Sequence, residues 1–158
     1  MLVIFILLNS CRENKTDKSI KEYTLDDIES LVNELADEIN APANYLPTYG
    51  YSLDGAKPHI EIDTDGLVCY VVVERGAEFE RSCYIDINKL LHKVFSDVVF
   101  VMATDYEVKH RIENEDSRRQ WFAKEIELLS VLNKQWAEWQ REEHKKILEK
   151  YPFNDSIQ

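Results

Sequence analysis

Residues 102–139 read MATDYEVKHRIENEDSRRQWFAKEIELLSVLNKQWAEW. This stretch decides the class of fold. It lies within a longer segment, Ala77 to Tyr151, that holds neither glycine nor proline. Gly50, Gly55, Gly66, Gly76, Pro42, Pro47 and Pro58 all precede that segment or its helical part, and Pro152 closes it. A chain without those breakers is free to be helical, and the apolar spacing here is helical. Asn114-Glu115-Asp116 supplies a turn and a fresh N-cap. Trp121, Phe122, Ile126, Leu128, Leu129 and Leu132 mark one helix beyond it. Asn133 caps another, mostly charged and suited to a rim, through Trp136, Trp139, Ile147, Leu148 and Tyr151.

Upstream, Asp86 caps the most apolar helix, which carries Ile87, Leu90, Leu91, Val94, Phe95, Val98, Val101, Met102, Tyr106 and Val108. Ser96-Asp97 offers it a place to bend. Before that the period changes from helical to alternating. Tyr49 to Leu53, His59 to Asp63, Leu67 to Glu74 and Glu78 to Ile85 read as strands. Asp54-Gly55, Asp65-Gly66 and Arg75-Gly76 read as the turns between them. Connections so short predict an antiparallel meander. Further upstream, Thr24-Leu-Asp-Asp27 is a capping-box pattern. It opens a helix with Leu25, Ile28, Leu31, Val32, Leu35 and Ile39 on one stripe, ended by Asn40 and Pro42. The predicted class is α+β: an N-terminal helix, a four-stranded antiparallel meander, then three to four helices packed on it.

The alternation also predicts a register. Leu67, Cys69, Val71 and Val73 share one face, and Phe79, Cys83 and Ile85 share one face of the next strand. Turning both sets inward needs an odd-length loop at Gly76 and brings Cys69 opposite Cys83, or one pair off. In a reducing compartment the two are small core residues. In an oxidising one they can form a disulfide. The other face would then carry Glu61, Asp63, Tyr70, Glu74, Glu78, Glu80 and Tyr84, with His59 at one end. Acidic residues interleaved with tyrosine make a candidate recognition surface. A plain solvated sheet face is the alternative.

A chain of 158 residues with 44% apolar content can bury one core, so residues 22–158 are expected to form one domain. The formal charge is -11, and the first 21 residues hold four of the 19 cations and two of the 30 carboxylates. The remainder therefore sets 15 cations against 28 anions. Such a surface repels nucleic acid and anionic lipid and steers toward basic partners. Residues 1–21 stand apart as a lipoprotein-type leader and polar tether. Leu2 to Leu8 is apolar but far short of the ~20 residues a membrane helix needs. Leu-Asn-Ser-Cys11 resembles the lipobox of bacterial lipoproteins, in which the cysteine is lipidated. No Lys or Arg precedes Cys11, unlike the basic start of a secretory signal. Two readings stand: an envelope protein anchored through Cys11, or a cytoplasmic one in which Cys11 is an ordinary thiol.

Chemical motifs are sparse. The sequence has no phosphate-binding glycine loop, no HExxH, no zinc-like cysteine spacing and no nucleophile triad. No metal and no cofactor is implied. Glu107-Val-Lys-His110 is a single Glu-x-x-His, where di-iron bundles need two. A hydrolase built on Glu107 and His110 would need both side chains to converge in an open pocket. Lys109-His110-Arg111 and Arg118-Arg119 form a basic cluster, with Glu107, Glu113, Glu115 and Asp116 at hand for ion pairs.

Leu46-Pro-Thr-Tyr-Gly50, Pro58-His-Ile-Glu-Ile62 and Val73-Glu-Arg-Gly76 occur in that order. Tyr106-Glu-Val-Lys-His-Arg-Ile112, Arg118-Arg119, Glu127-Leu-Leu129 and Leu132-Asn-x-x-Trp136 follow. Together they resemble the bacterial immunity protein 63 family, over roughly residues 24–154. That resemblance implies a non-catalytic protein that binds and blocks a cognate polymorphic toxin, protecting its producer in bacterial competition. It implies no defined contact residues. A basic contact surface on the toxin follows from the charge, and a membrane association only through Cys11. An envelope lipoprotein with a scaffold role is the alternative function.

Overall fold

A computed structural model describes residues 19–155. Leu2 to Leu8 and Cys11, and with them the leader reading, lie outside the described residues. The described chain groups into two compact units. The first comprises the residues up to Leu31 with Pro47–Leu91; the second comprises Val32–Leu46 and the residues from 92 onward.

Helix α1 spans Leu25–Glu38. Its start is a reciprocal capping box. The Asp27 N–H donates to Thr24 Oγ1 at 3.1 Å, and the Thr24 N–H donates to Asp27 Oδ2 at 2.9 Å. Ile28, Val32, Leu35 and Ile39 are buried, as their spacing predicts. Asn40 ends the helix in the left-handed region (φ 52), and the Ala41 N–H returns to the Ala36 carbonyl.

The sheet belongs to the first unit. Its strands are β1 (Thr48–Tyr49), β2 (Gly55–Ile62), β3 (Val68–Glu74) and β4 (Ala77–Tyr84), in that spatial order. The β2–β3 and β3–β4 pairs are antiparallel, but β1 pairs parallel with β2 through Thr48↔His59 and Tyr49↔Ile60. This corrects the all-antiparallel meander and the strand expected over Tyr49 to Leu53. The chain turns away at Gly50 (φ 78), where Thr48 Oγ1 donates to the Tyr51 carbonyl at 2.6 Å. It turns again at Asp54 (φ 53), so β2 re-enters alongside β1 in the same direction. Tyr51 and Leu53 are left exposed in that loop.

The two hairpin turns are where the sequence places them. Asp63 Oδ1 accepts the N–H groups of Asp65 and Leu67, each at 2.9 Å, and Gly66 takes a positive φ. Arg75 (φ 52) and Gly76 (φ 73) form a two-residue turn of the mirror-image type I geometry that right-twisted strands require. This turn alone would set Cys69 opposite Ser82. A bulge in β4 corrects the count. The register passes from Val73↔Glu78 to Val72↔Glu80, so Phe79 is the extra residue and Cys69 faces Cys83. An even turn plus a one-residue bulge does what the odd loop was expected to do.

Helix α2 runs unbroken from Ile87 to Lys109, through Ser96 and Asp97, after Asp86 Oδ1 accepts the Asn88 N–H. Helix α3 spans Arg118–Leu132, and α4 spans Lys134–Lys150. Asn133 ends one and starts the other. Its extended backbone breaks the helix, and its side chain accepts the Gln135 N–H at 2.8 Å. The architecture is α+β, with three helices after the sheet. None of the described helices is long and apolar enough to cross a membrane. Ile28, Ile60, Val68, Val71 and Leu90 fill the first unit's core; Val32, Val94, Phe95, Leu129 and Trp136 fill the second's. Each such side chain contributes about 1.5–3 kcal/mol by leaving water.

Candidate functional site

β3 is an interior strand, and Val68, Cys69, Tyr70 and Val71 are buried whichever face they occupy. β4 is an edge strand, and on it the expected inward set is the exposed one. Phe79 is 70% exposed and Ile85 79% exposed, while Glu80, Ser82 and Tyr84 are half-buried. The seven residues expected on one recognition surface are therefore divided. By register, Tyr70 shares its face with Ser82 and, through alternation, with Glu80 and Tyr84. Tyr70 is 1% exposed and presents no surface. The run Leu67 to Val73 is apolar except for this tyrosine, which is the pattern of a strand covered on both sides. Tyr70 is as buried as Cys69 and Val71, so neither face of β3 is the solvated one.

Glu61, Glu78 and Asp63 remain on the opposite face, with His59, Cys69, Arg81 and Cys83. Its centre is Arg81. Nη1 donates to Glu61 Oε1 at 2.6 Å; Nε and Nη2 donate to the two Glu78 oxygens at 2.9 and 2.7 Å. The bulge is what brings Glu78, three residues away along a strand, onto the side of Arg81. The guanidinium holds both carboxyls below their ordinary range. They in turn push the Arg81 pKa up. His59 is buried and its Nε2 lies 3.2 Å from Glu61 Oε2, while its Nδ1 has no partner. Glu74 stands at the hairpin end, 3.8 Å from exposed Arg75. Glu61, Asp63, Glu74 and Glu78 thus outnumber the cations on and around this face. In the sequence Arg81 interrupts the alternating apolar set of Phe79, Cys83 and Ile85. A lone cation spaced three residues from Glu78 was the signal for its role.

Cys69 and Cys83 are joined Sγ to Sγ at 1.98 Å. Asp63 Oδ2 lies 3.9 Å from Cys69 Sγ, but bonded sulfurs are not thiolates and offer no metal ligands in this state.

The second unit holds its charges differently. Glu107 is buried and paired through both oxygens with Arg111, at 2.7 and 2.9 Å. Arg111 keeps the Glu107 carboxyl below its ordinary range. His110 stacks on Tyr106 at 4.1 Å and its Nδ1 meets the Tyr106 carbonyl. Glu107 and His110 do not converge, so the hydrolase arrangement is absent. Arg118 and Arg119 clasp the C-terminal segment. Arg118 pairs with Asp116 and donates to the Tyr151 and Pro152 carbonyls, and Arg119 pairs with Asp155. Phe153 lies under Arg119 at 4.2 Å.

One buried pair was not anticipated. His144 Nε2 lies 2.6 Å from Glu125 Oε2, and both side chains are buried, with Phe122 stacked on the imidazole at 3.8 Å. Glu125 falls on the apolar spacing of Phe122 and Leu129, which is where a buried charge would show. His144 also lines an open groove of about 770 Å³ with Phe122, Ile126, Leu148 and Phe153. The groove is mostly apolar, with Arg141, Lys145 and Glu149 also on its walls, and its single imidazole is engaged below. It gathers no set of reactive groups.

The family model described as Immunity protein 63 matches residues 65–146. That span covers β3, β4, α2, α3 and most of α4, and includes Arg81 and Glu78. No curated protein and no solved structure matches the chain.

Proposed function

The chain belongs to the immunity protein 63 family, and from that premise we propose that it neutralises a cognate polymorphic toxin by binding it, without chemistry of its own. The match over residues 65–146 is the observation that carries the reading. The dispersal of the reactive side chains supports it: the histidines and carboxylates among the described residues are tied into pairs or spread over separate elements. Blocking without catalysis requires an interface, commonly ~1,600 Å² in total. A net charge of -11 favours a toxin that is basic where it is contacted, and steering raises the rate of encounter. The contact we propose is the sheet face around Glu61, Glu78 and Arg81.

The Cys69–Cys83 bond favours an oxidising compartment, and so the envelope reading with Cys11 as its anchor. A scaffold lipoprotein remains the rival. Co-expression with the toxin domain encoded beside this chain's gene separates them. Growth should be rescued when the toxin is active. For an envelope-anchored protein, an exported toxin should be neutralised and Cys11→Ser should abolish that protection. Rescue of a cytoplasmic toxin by the Cys11→Ser variant would return the protein to the cytoplasm. Undiminished killing in both compartments would dispose of toxin neutralisation altogether.

A further inference from the structure

The edge of the sheet has a property that its face does not. The Cα atoms of Cys69 and Cys83 are 4.0 Å apart. Facing residues in antiparallel strands lie about 4.5 Å apart when they exchange no hydrogen bonds and about 5.5 Å apart when they do. Cys69 and Cys83 are thus a non-hydrogen-bonded pair. The N–H and C=O of Cys83 point away from β3, off the sheet, and by alternation so do those of Arg81. No strand among the described residues lies beyond β4.

Exposed edges invite pairing, and proteins usually blunt them with bulges, prolines or inward charges. Here the bulge at Phe79 and the half-buried charge of Glu80 blunt the start of β4. From Glu80 to Tyr84 the strand is regular, free of proline, and stapled to β3 by the disulfide. The edge is rigid and does not need to be ordered on binding, which removes an entropic cost from association. Exposed apolar side chains stand at both ends, Phe79 and Ile85.

We infer that the outer edge of β4 takes an extended, basic segment of the toxin as an added strand, with Phe79 and Ile85 as side-chain anchors. This rests on the toxin-binding reading and names its geometry. Main-chain bonds to Arg81 and Cys83 would supply affinity, and the flanking side chains specificity. Charge selects the occupant. Glu78 and Glu61 already share one guanidinium, so the cluster is still a net anion and suits a cationic side chain. A second copy of this chain would bring another -11 to the same edge.

Hydrogen exchange in the complex with the toxin domain encoded beside this chain's gene tests it. The Arg81 and Cys83 amides should slow at least a hundredfold relative to the free protein, with α3 and α4 unchanged. Ile85→Arg should weaken association at least thirtyfold, because it puts a repelled, bulky cation where an apolar anchor sat. Val131→Arg, on an exposed position of α3, should not. Tight binding with unaltered exchange at Arg81 and Cys83, or full affinity in Ile85→Arg, overturns the inference and leaves toxin neutralisation standing. Sedimentation showing a dimer that Ile85→Arg dissolves also overturns it, in favour of self-pairing. Failure of the intact protein to bind the toxin at all removes both.

Discussion

Two arginine–carboxylate clusters, one in each unit, use the same chemistry to different ends. Arg81 lies between Glu61 and Glu78 on the sheet, and every bond it makes in that cluster is to another side chain. All three groups are roughly a third or more open to solvent. Arg118 is held by Asp116, which is buried and also accepts the backbone N–H groups of Arg118 and Asn154 at 3.0 and 2.8 Å. Arg118 meanwhile donates to two backbone carbonyls of the C-terminal segment. The clasp joins chain segments that are distant in sequence. The sheet cluster spans β2 and β4, strands that the ladder through β3 already holds together. Solvent and backbone involvement, not the count of ion pairs, separates a fastening from a surface.

Substitutions can test that separation, beginning at its most buried extreme. Glu125 and His144 are less exposed than either cluster. Glu125→Ala would leave the imidazole facing a void, and should cost about 3–5 kcal/mol in urea unfolding. Glu125→Gln keeps a hydrogen-bond partner and should cost clearly less. Equal losses in the two variants would mean that packing, not pairing, matters there. Asp116→Ala comes next, at about 2–3 kcal/mol, since it removes the acceptor of two backbone donors and the charge partner of a guanidinium. It should also release the segment around Phe153 to proteolysis. A stability change below about 0.5 kcal/mol would place the clasp with ordinary surface pairs.

Features set by near neighbours were legible in the sequence. The Thr24–Asp27 box, the Asp65-Gly66 and Arg75-Gly76 turns, and the Asn133 break follow from side chains reaching backbone within a few residues. The opposition of Cys69 and Cys83 was legible as well, though by a different route from the one taken. What was lost depended on distant packing. Nothing local to Tyr70 says that both faces of its strand are covered. No local signal marks Phe79 as the bulge that swings Glu78 beside Arg81, and so simple alternation groups residues of both sheet faces onto one. The Asp155 and Asn154 contacts of the clasp join residues more than thirty positions apart. Turn chemistry cannot foretell such a meeting.

The smallest effect expected is the most decisive for the comparison. Arg81→Gln should cost only about 0–1 kcal/mol at neutral pH, because its partners return to water when it goes. Its signature lies in the pH dependence. Glu61 and Glu78 titrate below the ordinary glutamate value of 4.5 in the folded protein because Arg81 favours their charged forms. A carboxyl with a depressed folded pKa stabilises the fold above its unfolded pKa, and that contribution drains away as pH falls through the folded one. The wild-type protein should therefore lose its small advantage over Arg81→Gln as acid protonates the pair, and the two unfolding curves should merge below that range. An advantage of more than about 2 kcal/mol at pH 7 would be too large for a solvent-exposed network. Arg81 would then fasten the sheet as Arg118 fastens the C-terminal segment. The face it occupies would be better understood as structure than as a place for another protein to land.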